Sequence, residues 1–367
     1  MWVSVHVRIF KYFYIITTNS MKILLVIVLL FTAHFSFAKI WIVDSNAGST
    51  AKDFTNLQAA HDGATAGDTL YLIGSPVNYI TTKVTVTKRL VIIGPGYFLS
   101  QNADTQANVA SAYLNNTAVG ICEELEFATG SEGSVLMGIE IIGRLIINAN
   151  NILIKRNHIS QEGACNLTMV TINGSNVLFT QNFVDGNLNQ SIPLIEVTAG
   201  KSGILIGNNY LFHSCFGCGP ALALSSPATS SLEVSSNIFA GGFNIANAIV
   251  QNNFFNTDNP FTASASLVRN NIHTNGYLPA GNGNINSSSL GLRFVDTGST
   301  DGRWKLKATS PGLGAGFGGV DVGIFGGPEP YVLSGIPPIP TIYFLTAPAI
   351  GEKNTGLPIQ IKVKSNN

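Results

Sequence analysis

The nonapeptide NILIKRNHI, residues 151–159, decides the fold because its pattern returns five more times. It is followed by NVLFTQNFV from Asn176, GILIGNNYL from Gly203, SLEVSSNIF from Ser231, NAIVQNNFF from Asn247 and ASLVRNNIH from Ala265. The shared pattern is apolar, any residue, apolar, two small or polar residues, Asn, then an apolar or aromatic residue. The aligned asparagines are Asn157, Asn182, Asn209, Asn237, Asn253 and Asn271, at intervals of 25, 27, 28, 16 and 18 residues. Repeats of this length indicate a solenoid. Alternation such as Ile152/Ile154 or Leu232/Val234 has the period of two that strands require, whereas Gly and Asn interrupt any helical window.

A recurring Asn at a bend has a physical use. Its backbone tolerates left-handed angles, and its amide both donates and accepts hydrogen bonds. In coils stacked about 4.8 Å apart, each amide reaches the next and forms a ladder of buried polar groups. Each coil also has an earlier apolar run, at Leu145–Ile147, Met169–Ile172, Leu194–Val197 and Ala221–Leu224. Three short strands per coil follow: an all-β, right-handed parallel β-helix.

Working outward, 68–73 (DTLYLI), 83–87 (KVTVT) and 90–93 (LVII) read as strands of less regular coils. Residues 101–117 lack periodicity and read as a loop inserted between coils, where a solenoid carries binding surface. The open front of the stack needs a cover. Residues 53–68 supply a short amphipathic helix, with an Asp or Thr N-cap and Phe54, Leu57 and Ala60 on its apolar side. The β-helix domain is expected over 39–327, a proline-rich, semi-rigid linker over 328–340 and a strand tail over 341–367, with a hairpin from 341–346 and 357–364.

The start reads as an export signal. Met21-Lys22 opens a basic n-region, 23–33 is almost wholly apolar, and Ser36-Phe37-Ala38 offers small residues for cleavage after Ala38. Met21 is the expected start, and an uncleaved anchor is the alternative. Removing 1–38 takes away Arg8, Lys11 and Lys22 and no acid, so 20 − 3 = 17 basic residues face 20 acidic ones. With no basic stripe, nucleic acid is not expected as a partner. No second long apolar run exists, so stable membrane insertion after cleavage is not expected either. Charged residues make up 11% of the 367-residue chain and glycines number 38, which suits short strands and tight turns better than surface helices. Four cysteines, Cys122, Cys165, Cys215 and Cys218, permit a disulfide after export. Cys215 and Cys218 with His213 do not make up a zinc set, and no metal or cofactor is expected.

The front segment FTNLQAAHDGATAGDTLYLIGS, the GPGY turn at 94–97, the Asn-aromatic coils and the closing SPGLGAGFGGVDVGIFGG at 310–327 resemble the secreted right-handed parallel β-helix proteins of the pectate-lyase-like superfold. The resemblance covers roughly 40–330, and the tail is similar to those of uncharacterised members from Bacteroidetes-like bacteria. It implies fold and export. It implies no activity, because that superfold hosts lyases, hydrolases, esterases and adhesins.

The residues offer little concentrated chemistry. Glu162, Asp185, Glu196, Glu233 and Asp258 fall at different phases of their coils, which argues against the six to eight oxygens that calcium takes. Arg144, Lys155, Arg156, Lys201 and Arg269 form no motif, and Arg156 and Arg269 read as surface candidates. Glu123, Glu124 and Glu126 are the local acidic cluster, without an identifiable partner carboxylate. His61, His158, His213 and His273 sit at unrelated coil positions. The expected function is non-catalytic binding to, or display at, extracellular polysaccharide or a cell surface. The alternative is a polysaccharide lyase or glycoside hydrolase with its site on one strand face.

Overall fold

Inward-facing aliphatic residues stack in register to build the body of this chain. In the computed structural model, Ile92, Leu136, Ile154, Phe179, Ile206, Val234, Val250 and Val268 pair in successive parallel strands as one buried column. The described residues are 38–115, 123–161, 167–188, 192–214, 221–286, 293–348, 350–351 and 356–366, with Glu123 and Glu124 described by backbone alone. Residues 1–37 of the expected signal region 1–38 and all four cysteines lie outside them.

Three parallel sheets of ten, nine and eight strands wrap one core, forming a right-handed parallel β-helix. One coil runs from the first sheet (Leu153–Lys155) to the second (His158–Ser160) and on to the third (Val170–Ile172). Each strand then pairs with its equivalent one coil on. At the front, α1 (Leu57–Gly63) covers the core with Leu57 and Ala60. Its N-cap is Asn56, whose side-chain Oδ1 accepts from the Ala59 amide, so neither Asp53 nor Thr55 fills the expected role. Asp53 instead accepts from the Ile42 amide at 2.8 Å. At the back, Thr341–Thr346 and Gln360–Lys364 form an antiparallel hairpin.

The bend between first and second sheets holds the aligned asparagines. Asn157, Asn182, Asn209, Asn237, Asn253 and Asn271 are fully buried in one column. Each side-chain oxygen from Asn182 onward accepts two bonds from the preceding asparagine, one from its backbone amide at 2.8–3.1 Å and one from its side-chain amide at 2.9–3.2 Å. The column continues to Asn284, a seventh member outside the aligned repeats. Each of the six side-chain amides also donates to a first-sheet carbonyl, for example Asn209 to Phe179 at 2.8 Å.

The left-handed angle belongs to the residue before each ladder asparagine, contrary to the sequence expectation. Arg156, Gln181, Asn208, Ser236, Asn252 and Asn270 have φ between 52 and 59°. Such a backbone is costly for residues with a Cβ and persists where surrounding bonds hold it. Here it turns the side chain outward, and five of the six are bonded to the C-terminal segment. Asn270 donates to the Ala315 carbonyl, the Asn252 side-chain oxygen accepts from the Phe317 amide, and Asn208 donates to the Ile324 and Gly326 carbonyls. Gln181 donates to Glu329, and Arg156 to Ile336. The segment therefore runs back along the coils as a strip, antiparallel to the direction of stacking.

Three sequence expectations change as a result. Residues 328–340 are no spacer, because Tyr331 and Ser334–Pro337 are buried against the body. Arg156 is a buried strut rather than a surface group, its Nε donating to Gln181 at 2.7 Å. Of the expected insert 101–117, the described part 101–115 is tied down, with Asn102 on Asp301 and Ser334 and Ala107 on Ile342, and its Tyr113–Asn115 is a strand of the second sheet. Beneath the C-terminal segment, Phe183, Tyr210, Ile238, Phe254 and Ile272 of the second sheet's outer face form a second apolar cluster with Phe294, Val322, Ile324 and Tyr331.

Asn209→Ala removes the acceptor of two buried donors on Asn182 and the donor to Phe179. A loss of about 3 kcal/mol is expected from these orphaned groups. A lowered urea midpoint checks it, with Asn284→Ala at the ladder's end expected to cost less.

Candidate functional site

The strip walls a concavity on the described surface. Between it and the outer face of the first sheet lies a groove of about 560 Å³. Leu153, Leu178 and Leu205 form its apolar floor on three successive coils, with Lys155 and Thr180 two residues further along the first two of these strands and Ser235 and Gln251 continuing that row on the next two coils. Phe317, Val320, Pro328 and Glu329 of the strip form the wall. The groove adjoins a shallower hollow of about 630 Å³ that shares Leu205 and Glu233 with it, so the two make one trough.

Two features mark the groove as more than a packing fault. Leu178 and Phe317 are 42% and 51% exposed, which places apolar surface in contact with water beside fixed polar groups. The polar groups are held by one another. Lys155 Nζ lies 2.5 Å from Glu329 Oε2. Arg269 Nε donates to Gln251 Oε1 at 2.9 Å, and Gln251 Nε2 donates to Glu233 Oε1 at 3.1 Å, a relay across three coils. The Arg269 guanidinium also sits 3.5 Å over the Phe317 ring, a cation–π contact that holds the ring.

The sequence candidates fall into three groups. Arg269 stands beside the groove, bonded to Gln251 and stacked on Phe317, whereas Lys155 and Glu233 line it. Arg156 holds the strip from within. Glu126 faces out from the third sheet, paired to Lys83 at 2.6 Å and accepting from Asn148, which in turn accepts from Asn173. Glu123 and Glu124 share the Glu126 strand by backbone, and their side chains lie outside the description, as does Glu162. Glu196 pairs in register with Thr171 on the third sheet, and Asp258 bonds Asn275. Among the described residues no group of three or more His, Cys, Asp or Glu side chains is arranged to hold a metal ion.

Sequence spacing missed one electrostatic centre. His158 on the second sheet lies between Glu140 of the preceding coil, 3.0 Å from Nδ1, and Asp185 of the next, 2.8 Å from Nε2. Ser111 donates to the other Glu140 oxygen at 2.6 Å, and Tyr97 and Phe98 pack on the imidazole. Burial opposes the charged ring, but bonds to Asp185 and Glu140 outweigh it and hold its pKa at about 9. The centre ties three coils together. Only the register pairing Ser160 with Asp185 brings these groups together, and spacing along the chain does not reveal it. His273 is the opposite case: buried beside Phe255, it is pushed down to about 4 and stays neutral.

Comparison with known proteins adds little beyond the fold. No family model and no curated protein matches the chain. Among solved structures, the chain is similar to the crystal structure of pectate lyase Pel9A, at 14% identity and a TM-score of 0.40, covering 80% of this chain and 97% of that one. The sheets themselves define the class as a right-handed parallel β-helix.

The two histidines give stability opposite pH signatures. The folded pKa of His158 lies above its ordinary 6.5, so its contribution is fully present below pH 6.5 and is lost as pH rises towards about 9. That of His273 lies below 6.5, so its contribution is lost as pH falls towards about 4. His158→Gln is expected to cost about 3 kcal/mol at neutral pH. It should also flatten the alkaline fall in the thermal midpoint, which melts across that range would show.

Proposed function

We propose that this chain is an exported β-helix that binds a polysaccharide in the groove between its first sheet and its C-terminal strip, without turning it over. The observation that carries this reading is the mixed lining. A half-exposed phenyl ring and a row of leucines suit the C–H faces of sugar rings, and Gln251, Glu233, Thr180 and Ser235 suit their hydroxyls. An open trough running across successive coils accommodates a chain better than a compact molecule. The apolar run and small residues before Lys39 support export, with Ala38 as the last residue removed.

A second reading has its own observation. Glu233 and Glu329 both line the groove, and glycoside hydrolysis uses two carboxylates facing one sugar. Binding is favoured because each of these carboxylates already has a partner, Gln251 for Glu233 and Lys155 for Glu329.

Affinity electrophoresis of the purified chain through gels containing soluble polysaccharides tests the proposal. At least one polysaccharide should retard migration, and Leu178→Asp should weaken that about tenfold, equivalent to about 1.4 kcal/mol. New reducing ends on incubation, abolished by Glu233→Gln, would replace binding with hydrolysis.

A further inference from the structure

We infer that the ligand of this groove is an uncharged glycan rather than a polyuronate or sulfated chain. The inference rests on the glycan-binding reading above and narrows it. The charged groups that line the groove are Lys155, Glu233 and Glu329, one cation against two anions; Arg269 stands just beyond the lining, bonded to Gln251, and brings the formal charge to zero. They are also matched locally. Lys155 contacts Glu329 directly, and Arg269 is linked to Glu233 through the Gln251 amide.

A polyuronate brings one carboxylate per sugar and needs cations that are not already engaged. Here it would meet Glu329, whose side chain is 64% exposed at the rim, and Glu233 on the floor. Like charges so placed reject a polyanion more strongly than they reject a neutral chain. Neutral pyranose hydroxyls face no such conflict, since they donate to Glu233 and Glu329 and exchange bonds with Gln251. That amide is held at both ends, so it is set before a ligand arrives. Phe317 completes the fit. Arg269 covers one face of its ring, and the half-exposed side chain offers the rest to the apolar side of a sugar ring.

The experiment compares gels containing neutral polysaccharides (xyloglucan, galactomannan, mixed-linkage glucan) with gels containing polygalacturonate or alginate, using the full chain. Retardation by a neutral polysaccharide at least tenfold stronger than by either acidic one is expected. Phe317→Ala and Gln251→Leu, each checked by circular dichroism, should weaken the neutral interaction at least tenfold. Glu329→Gln, which frees Lys155, should strengthen retardation by the acidic chains. Tighter binding of polygalacturonate than of every neutral polysaccharide by the unaltered chain would overturn the inference while leaving glycan binding standing. Failure to bind either class would overturn both.

Discussion

One buried oxygen per coil sets the terms for the rest of the molecule. Where the chain turns from the first sheet to the second, the amide of each ladder asparagine cannot reach a strand partner and is sealed from water. The side-chain oxygen of the next asparagine takes that amide and the side-chain amide beside it. An unpaired buried donor costs more than a formed hydrogen bond gains, so the arrangement tolerates few substitutes. Stacking in register is a consequence, because each asparagine serves its neighbour only when the coils superpose.

The ladder also explains the outside of the protein. A buried amide can follow the bend only if the residue before it takes the left-handed backbone, and that geometry throws the preceding side chain outward. Arg156, Gln181, Asn208, Asn252 and Asn270 use the direction to hold the C-terminal strip. The strip covers the aromatic outer face of the second sheet and walls the groove on the first. A polar device inside the bend thus leads, through the residues beside it, to the surface proposed to bind glycan.

Much of the helix was legible because its repeats are local. Alternation in 152–154 or 232–234 and the recurring asparagine specify strand, bend and stacking from short stretches. What stayed hidden depends on chain segments far apart in sequence. The strip bonds residues far apart in sequence, 180 positions for Arg156 and Ile336 and 236 for Phe98 and Ser334, and its prolines suggest a spacer although Ile336 and Pro337 are buried. The His158 centre joins three coils whose spacing is irregular, so Glu140 carried no signal at all. At the groove, Lys155, Glu233 and Arg269 were visible as isolated charges. Gln251 and Phe317, which give them a common purpose, have side chains that also serve ordinary turns and cores. The seventh ladder member, Asn284, escaped because its strand is only two residues long and does not match the aligned pattern.

Charge in this protein is mostly structural, a result of placing few ionisable groups on a scaffold of short strands. His158 joins coils through its two carboxylates, and Glu126 starts an outer column of amides with Asn148 and Asn173. Amide hydrogen exchange at residue resolution tests the central claim most directly. The backbone amides of Asn157, Asn182, Asn209, Asn237 and Asn253 should be among the slowest to exchange, matching the mid-strand amides of the core although each lies at a bend. Exchange of these five as fast as that of exposed turn residues would contradict the ladder and the account built on it.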